Sequence, residues 1–174
     1  YWSSSEIDRS NYEGVYRAAT VLNKRDNYHS NTTKQMSMYV RGVATFGATK
    51  AYKPTRTFAP YRIGDYYNDG EKEGVIFDVS ADGRTGKIVN INHYYPHVWC
   101  SDENGVKTLV GANSRVDGEY NLSAIKAIDG WQKSYPIFAW CAGLGDGWYI
   151  PADVELKQIY DVGRSIFPFL HNEA

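Results

Sequence analysis

The chain has 174 residues, of which 43% are apolar, and a formal net charge of −1. This length suffices for one globular domain that buries about two-thirds of its unfolded surface, so neither a metal nor a disulfide is needed for folding. The balanced charge gives no support to a nucleic-acid partner, and no segment approaches the roughly 18 consecutive apolar residues of a membrane span.

The first element is the opening segment "YWSSSE", residues 1–6, in which an aromatic pair runs into serines and a glutamate. Its composition resembles that of a strand taken from the inside of a domain. No initiator Met, basic region or apolar leader precedes it. We therefore expect that a leader was removed or that the chain was cut from a longer protein.

Two segments rich in β-branched and aromatic residues follow, at 12–22 and 36–46. The polar, turn-prone stretch "NKRDNYHSNTTK" separates them, and this pattern predicts a β-hairpin with a long loop. Residues 47–60 contain two prolines and no hydrophobic period, which is typical of a linker.

The strand pattern restarts at Tyr61. "EGVIFDVS" and "GKIVNIN" flank "ADGR", and together they predict a second hairpin that turns at Asp82 and Gly83. The following segment, 93–120, is rich in turn signals such as "DENG" and "DGEYN" and is predicted to be mostly loop.

Apolar residues at helical spacing appear next. Leu122, Ile125 and Ile128 predict an amphipathic helix, and "PIFAWCAGL", with a proline near its start, predicts a second short helix. "GWYI" is predicted to be a short buried strand, and "ADVELKQIYDV" a further helix. Strands and helices occur without βαβ alternation, so the predicted class is α+β, with antiparallel hairpins and two or three short helices.

Three stretches together resemble one protein family. "YPIFAWCAGLGDGWYIPADVEL" resembles its central motif, "IGDYYNDGEKEGVIFDVSADGRTGKIV" its opening hairpin, and "YWSSSE" with the hairpin ending in "YVRGV" its closing half. The family is the C-type-lectin-like fold in its bacterial surface form, which includes the C-terminal domain of the Legionella collagen-like adhesin. It is distantly similar to formylglycine-generating enzymes and to the receptor proteins of diversity-generating retroelements.

The resemblance implies that residues 1–46 are the closing β-hairpin half of such a domain. Residues 61–174 would then be the opening hairpin, the helices and the Gly-Trp-x-Ile-Pro core, with 47–60 as a linker. In the family the closing half comes last, whereas here it comes first. This order predicts a circular permutation, a tandem array cut out of register, or an exchange of halves between identical molecules, which would cause self-association.

Closure within one chain is the interpretation we favour among these three. The linker of 14 residues reaches about 45 Å when extended, which is enough to cross a small domain. Closure predicts that Tyr1 lies close to Ala174.

The physics of the central motif can be inferred from its residues alone. Gly145 and Gly147 permit a sharp turn, after which the strand is stopped by Pro151. Relatives often place Ser or Thr after this proline as a helix cap, whereas this chain has Ala152. Loss of such a cap costs about 1 kcal/mol.

The best candidate for a zinc site is "HYYPHVWC", which contains His93, His97 and Cys100. However, Pro96 prevents a regular helix that would direct both histidines to one point, and no fourth ligand follows at a suitable spacing. An aromatic loop over the core is the preferred interpretation.

The best candidate for a calcium site is the loop "GANSRVDGEYN". It offers oxygen ligands from Asn113, Asp117, Glu119 and Asn121. Sugar-binding C-type lectins use Glu-Pro-Asn or Gln-Pro-Asp with Trp-Asn-Asp, and this sequence contains none of these tripeptides. Because Asp and Asn side chains in loops commonly bond local backbone, we predict no metal and no cofactor.

Catalytic motifs are scarce. The formylglycine-generating relatives oxidise substrate through a pair of reactive cysteines, whereas Cys141 lies in the apolar stretch "FAWCAGL", where a thiol is usually buried and inert. Cys100 has no cysteine partner other than Cys141, and the sequence permits one disulfide or two free thiols. The sequence therefore predicts no enzyme, with a formylglycine-generating-type oxidase as a remaining alternative.

Binding chemistry is concentrated in residues 1–46, the half that carries the ligand site in similar folds. Tyrosine supplies contact area at low entropic cost, and serine and asparagine supply adaptable hydrogen bonds, as in antibody paratopes. The candidate contact residues, with the last two at the rim, are Tyr12, Tyr16, Arg17, Asn27, Tyr28, His29, Arg9 and Asp8. A weak basic patch for sulfated glycans is formed by Lys24, Arg25 and Lys34.

These observations predict a noncatalytic, adhesin-like module that recognises a glycan or a protein through polar aromatic loops. We expect it at a bacterial cell surface or secreted, as one part of a larger protein. The main alternative is a structural or assembly subunit of a surface appendage that uses strand exchange.

Overall fold

The computed structural model describes residues 1–10, 16–23, 28–47, 60–91 and 96–163, and between residues 8 and 31 it describes the backbone alone. These ranges contain ten strands and five short helices, and the paired strands are antiparallel. The predicted α+β class is confirmed, but the prediction of two or three helices was too low. Two of the five helices are single turns of four residues, too short to show a hydrophobic period.

The central sheet has five strands. They are β5 Val43–Phe46, β6 Tyr66–Asn68, β7 Glu73–Val79, β8 Gly86–Val89 and β10 Trp148–Tyr149, in the order β10-β5-β8-β7-β6. β7 and β8 form the predicted hairpin. Gly83 in its turn has a φ of 68°, a left-handed conformation that glycine adopts without strain.

Two smaller sheets accompany the central one. The strands β1 Glu6–Ser10, β2 Tyr16–Asn23 and β3 Tyr28–Thr33 form a three-stranded sheet in that order, called the N-terminal sheet below. The strand β4 Ser37–Tyr39 pairs with β9 Pro96–Val98.

The predicted hairpin between residues 12–22 and 36–46 is wrong. β2 lies between β1 and β3, whereas β4 pairs with β9 and β5 lies between β10 and β8. The polar stretch that was predicted as the hairpin loop contributes β3 instead. Strand propensity identified both runs but not their partners, because pairing is decided by packing against neighbouring strands.

The helices lie in the second half of the chain. They are α1 Glu103–Val106, α2 Gly118–Lys126, α3 Trp131–Ser134, α4 Pro136–Ala142 and α5 Asp153–Asp161. α2 buries Leu122 and Ile125, as predicted, but it ends before Ile128, the third residue of the predicted apolar face. α4 begins at Pro136, whose fixed φ suits a first helical turn. None of the helices in the described ranges has the length and apolarity needed to cross a bilayer.

One hydrophobic core joins residues from both predicted halves. Its buried members include Trp2, Val40, Val43 and Phe46 from the first half, and Ile76, Ile88, Trp99, Phe138 and Ile150 from the second. The two halves therefore share a single interior. Permutation, a cut tandem array and exchange between molecules remain predictions, and the predicted proximity of Tyr1 to Ala174 lies outside the described residues.

The opening segment, residues 1–6, lies against this core. Trp2 is fully buried, and its Nε1 donates to the carbonyl of His97 at 2.8 Å. The N–H of Ser4 donates to the carbonyl of Pro151 at 2.9 Å. The segment therefore connects two parts of the chain that are distant from it and from one another in sequence.

Ser5 supplies part of the helix cap that Ala152 lacks. Its Oγ accepts a hydrogen bond from the N–H of Asp153 at 3.0 Å and donates to the carbonyl of Ser114 at 2.8 Å. Glu155 Oε2 accepts from the N–H of Ala152 at 2.8 Å. The start of α5 is thus capped from another segment, which offsets the loss of about 1 kcal/mol expected from the alanine.

Candidate functional site

The predicted contact residues lie mainly on the N-terminal sheet. Tyr12 and Asn27 lie outside the described residues. The backbone places Asp8 and Arg9 on β1, Tyr16 and Arg17 on β2, and Tyr28 and His29 on β3.

The strand register divides these residues between the two ends of the sheet. Arg17 pairs with Ile7 and Thr33, whereas Tyr28 pairs with Asn23 at the other end of β2. At a rise of about 3.3 Å per residue, β2 is about 23 Å long. We call Asp8, Arg9, Tyr16 and Arg17 the proximal group, and Tyr28 and His29 the distal group. Arg17 and Leu22, the β2 partner of His29, are five residues apart, so the two groups are separated by about 17 Å along β2.

A buried ion pair fixes the proximal end of the sheet. Lys34, which follows β3, donates from Nζ to Glu6 Oε1 on β1, and the two side chains are 0% and 1% exposed. Lys34 Nζ also donates to the carbonyl of Thr108 at 2.9 Å. Glu6 Oε2 accepts from the N–H groups of Val110 and Ala112 at 2.8 and 3.1 Å. The outer strands are thus bonded to each other and to the loop that follows α1.

The predicted basic patch for sulfated glycans is wrong in one of its three residues. Lys34 is buried in the ion pair with Glu6 and is not available to a ligand. Lys24 and Arg25 lie outside the described residues. Sequence spacing did not distinguish a surface lysine from a buried one, because the partner carboxylate is distant in the chain.

A further exposed aromatic residue, Tyr39 on β4, was missed by the sequence analysis. It is 48% exposed, and its ring lies 6.2 Å from the ring of Tyr1. Arg41 lies 5.9 Å from the centre of the Tyr1 ring. The signal was the alternation in "MYV", where Met38 and Val40 turn inward and Tyr39 outward. This aromatic pair belongs to the same half of the chain as the N-terminal sheet.

The candidate calcium loop has a structural role at two of its four positions. Asp117 caps α2 by accepting a hydrogen bond from the N–H of Tyr120 at 2.9 Å. Asn121 is buried, accepts from the N–H of Ser114 at 2.8 Å and donates to Ser4 Oγ at 2.9 Å. For Asp117 and Asn121, the predicted bonding to local backbone is therefore confirmed.

The candidate zinc segment is divided between the surface and the core. His93 lies outside the described residues, His97 is half-buried with its ring 6.0 Å from that of Trp140, and Cys100 is buried. Burial lowers the pKa of His97. In the described part of the chain, no three His, Cys, Asp or Glu side chains converge to form a metal-binding group.

Both cysteines are free thiols in the core. Cys141 is buried, as predicted, and burial raises the pKa of its thiol. Burial likewise raises the pKa of Cys100, and the effect exceeds the opposing influence of the Lys34 charge. Neither environment favours a thiolate, which is the reactive form of cysteine.

We expect neither thiol to react with Ellman's reagent at mildly alkaline pH while the protein is folded. A raised pKa keeps each thiol protonated when the pH rises past the ordinary pKa of a cysteine. Burial also blocks access of the reagent to the sulfur. Absorbance measured before and after addition of denaturant checks this, with both thiols reacting only after unfolding. Rapid reaction of one thiol in the folded protein would contradict the expectation.

The candidate site thus consists of the proximal and distal groups on the N-terminal sheet, and the same half of the sequence also contains the aromatic pair of Tyr39 and Tyr1. Its residues carry phenol, imidazole, guanidinium and carboxylate groups, which bind by stacking and hydrogen bonding. No protein-family model, curated protein or solved structure matches this chain.

Proposed function

We propose that this chain is a noncatalytic, extracytoplasmic binding module that recognises a glycan or a protein through its N-terminal sheet. The observation that carries the proposal is the separation of this sheet from the central one. Its strands contribute no hydrogen-bonded neighbour to the five-stranded sheet, yet its proximal end is fixed by a buried ion pair. A polar, tyrosine-containing sheet on a rigid support is suited to ligand recognition.

A C-type-lectin-like arrangement is part of this proposal. It is supported by the turn before β10, where Gly145 and Gly147 have φ values of 126° and 76°. Trp148 and Ile150 are buried after this turn, and α5 follows Pro151 closely. The local structure agrees with the turn, buried strand and following helix that were predicted from these residues alone.

The alternative of a formylglycine-generating-type oxidase is the weaker one. It needs a thiolate that substrate can reach. Cys100 and Cys141 are both buried, and burial raises the pKa of both thiols. These properties favour a structural role for the cysteines and support a module that binds without catalysis.

A structural or assembly role is favoured by one observation, the position of residues 1–6 against the second half of the chain. The contacts of Trp2, Ser4 and Ser5 with the second half would be reproduced if a second copy donated the same segment, because identical protomers exchange equivalent elements at low cost. Light scattering over a range of concentrations tests this role. A dimer that grows with concentration in the absence of ligand supports assembly, whereas a monomer at all concentrations supports the binding module.

We expect saturable binding of the purified domain to glycans on an array that includes sulfated polysaccharides. The array is probed with calcium and with chelator, and the expected signal is the same in both. Loss of the signal in chelator would contradict the structural role assigned to Asp117 and Asn121. A blank array would contradict glycan recognition and leave a protein ligand as the remaining form of the proposal.

A further inference from the structure

Glu6 and Lys34 form a buried ion pair whose surroundings also suit a chemical reaction between the two side chains. It connects β1 to the residue after β3, across the N-terminal sheet. Both side chains are excluded from solvent. Removing two charges from water costs free energy that their mutual attraction repays only in part. A reaction that neutralises both charges would remove this cost.

The carboxyl group of Glu6 is polarised by two backbone donors on a single oxygen. Oε2 accepts from the N–H groups of Val110 and Ala112 at 2.8 and 3.1 Å. Two amide donors on one carbonyl oxygen stabilise the negative charge that develops there when a nucleophile adds to the carbon. Oε1 does not share these donors and contacts Lys34 instead.

The amine of Lys34 is held beside this carboxyl group in a dry, aromatic setting. Its Nζ donates to the carbonyls of Thr108 and Gly105 at 2.9 and 3.3 Å. It also lies 4.6 Å from the centre of the Trp99 ring, and Trp99 is itself fully buried. Because the fold already holds the two groups next to each other, a reaction between them avoids most of the entropic cost of bringing them together.

We propose that Lys34 and Glu6 condense into an intramolecular isopeptide bond. A proton passes from Nζ to Oε1 along the hydrogen bond that joins them. The neutral amine then adds to Cδ of Glu6, and the carbonyl electron pair moves to Oε2 between the two amide donors. A second proton passes from Nζ to Oε1, the Cδ–Oε1 bond breaks, and one water leaves. An ammonium and a carboxylate become an amide and water, with no further reactant.

The product retains the hydrogen bonds of the site. The new amide oxygen, formerly Oε2, still accepts hydrogen bonds from the N–H groups of Val110 and Ala112. The N–H that remains on Nζ still donates to a backbone carbonyl such as that of Thr108. Both charges disappear from the interior, and the outer strands of the N-terminal sheet become covalently joined. The bond would fix the proximal end of the sheet irreversibly.

The intact mass of the folded chain tests the proposal directly. We expect it to be lower than the mass of the sequence by one water. Trypsin should then release residues 1–9 joined to residues 26–41, because an acylated Lys34 is not cleaved. An intact mass equal to that of the sequence, or a free tryptic peptide ending at Lys34 in full yield, overturns the proposal.

Two variants make the assignment specific. Lys34→Arg should have the full mass of its sequence, and a missing water in that variant would overturn the assignment to Lys34. Glu6→Gln should likewise have the full mass of its sequence, because its side-chain amide cannot take the proton that Nζ must lose before it attacks Cδ. Joined peptides in that variant would overturn the role of the Glu6 carboxylate as the proton acceptor. If either variant fails to fold, the mass and peptides of the unmodified sequence still decide the question.

Discussion

Replacing Trp2 with alanine is expected to lower the free energy of unfolding by about 3–5 kcal/mol, the typical cost of deleting a buried aromatic side chain. Trp2 is fully buried in the common core, and its Nε1 donates to the carbonyl of His97. The variant therefore leaves a cavity and removes the hydrogen bond to the carbonyl of His97. Urea denaturation followed by circular dichroism measures the change.

Trp2→Phe is the matched control for this substitution. It keeps most of the apolar volume and removes the hydrogen bond to His97, so we expect a loss of only about 1–2 kcal/mol. Equal, small losses in both variants would contradict the view that residues 1–6 are part of the core.

Replacing Glu155 with alanine is expected to destabilise the fold by a similar amount, about 3–5 kcal/mol. The carboxylate is 2% exposed. Its Oε2 accepts from the N–H groups of Ala152 and Gly118 at 2.8 and 3.1 Å. Its Oε1 accepts from Tyr149 Oη at 2.9 Å and from Lys87 Nζ at 2.6 Å. Alanine takes the acceptor away from the N–H groups of Ala152 and Gly118 and from the Tyr149 hydroxyl, and it removes the part of the α5 cap that Ser5 does not supply.

Asp161→Ala on the same helix is the control. Asp161 is half-exposed and pairs with Lys157 one turn earlier, and exposed pairs of this kind contribute about 0.3–0.5 kcal/mol. Thermal unfolding of both variants is therefore expected to show a large decrease for Glu155→Ala and almost none for Asp161→Ala. Similar decreases in the two variants would show that Glu155 is not the centre of this hydrogen-bond network.

Local sequence features were sufficient to predict several elements of the fold. The hairpin at 73–89 has a glycine, Gly83, at a turn position with a left-handed φ, and its two strands pair antiparallel around this turn, with one register irregularity between Ile76 and Asp78. α2 and α4 were predicted from apolar spacing and from Pro136, respectively. In each case the decisive interactions lie within a few residues, so the sequence window contains them.

Interactions between distant segments were not predictable in the same way. The helix cap that Ala152 lacks is supplied in part by Ser5, and the partner of Lys34 is Glu6. Nothing near these residues in the sequence indicates either contact. The same reason explains the wrong hairpin, since β-rich composition indicates a strand but not its neighbour.

The sequence indicated which segment carries the candidate site, but it did not indicate how the residues of that site are arranged. Residues 1–46 do contain the N-terminal sheet and Tyr39. However, the strand register separates Arg17 from Tyr28 along β2. A list of contact residues taken from composition could not show this division, because it depends on which strand residues are paired.

The proposal that the N-terminal sheet binds the ligand is tested most directly by the dissociation constant of tyrosine variants for the strongest-binding glycan of the array. The variants are Tyr16→Ala in the proximal group, Tyr28→Ala in the distal group and Tyr120→Ala as a control on α2, where Tyr120 is 53% exposed. We expect a dissociation constant about tenfold higher, or about 1.4 kcal/mol, for at least one of the first two variants and no change for Tyr120→Ala. Unchanged binding by both sheet variants, or an equal loss in the control, would contradict the proposal.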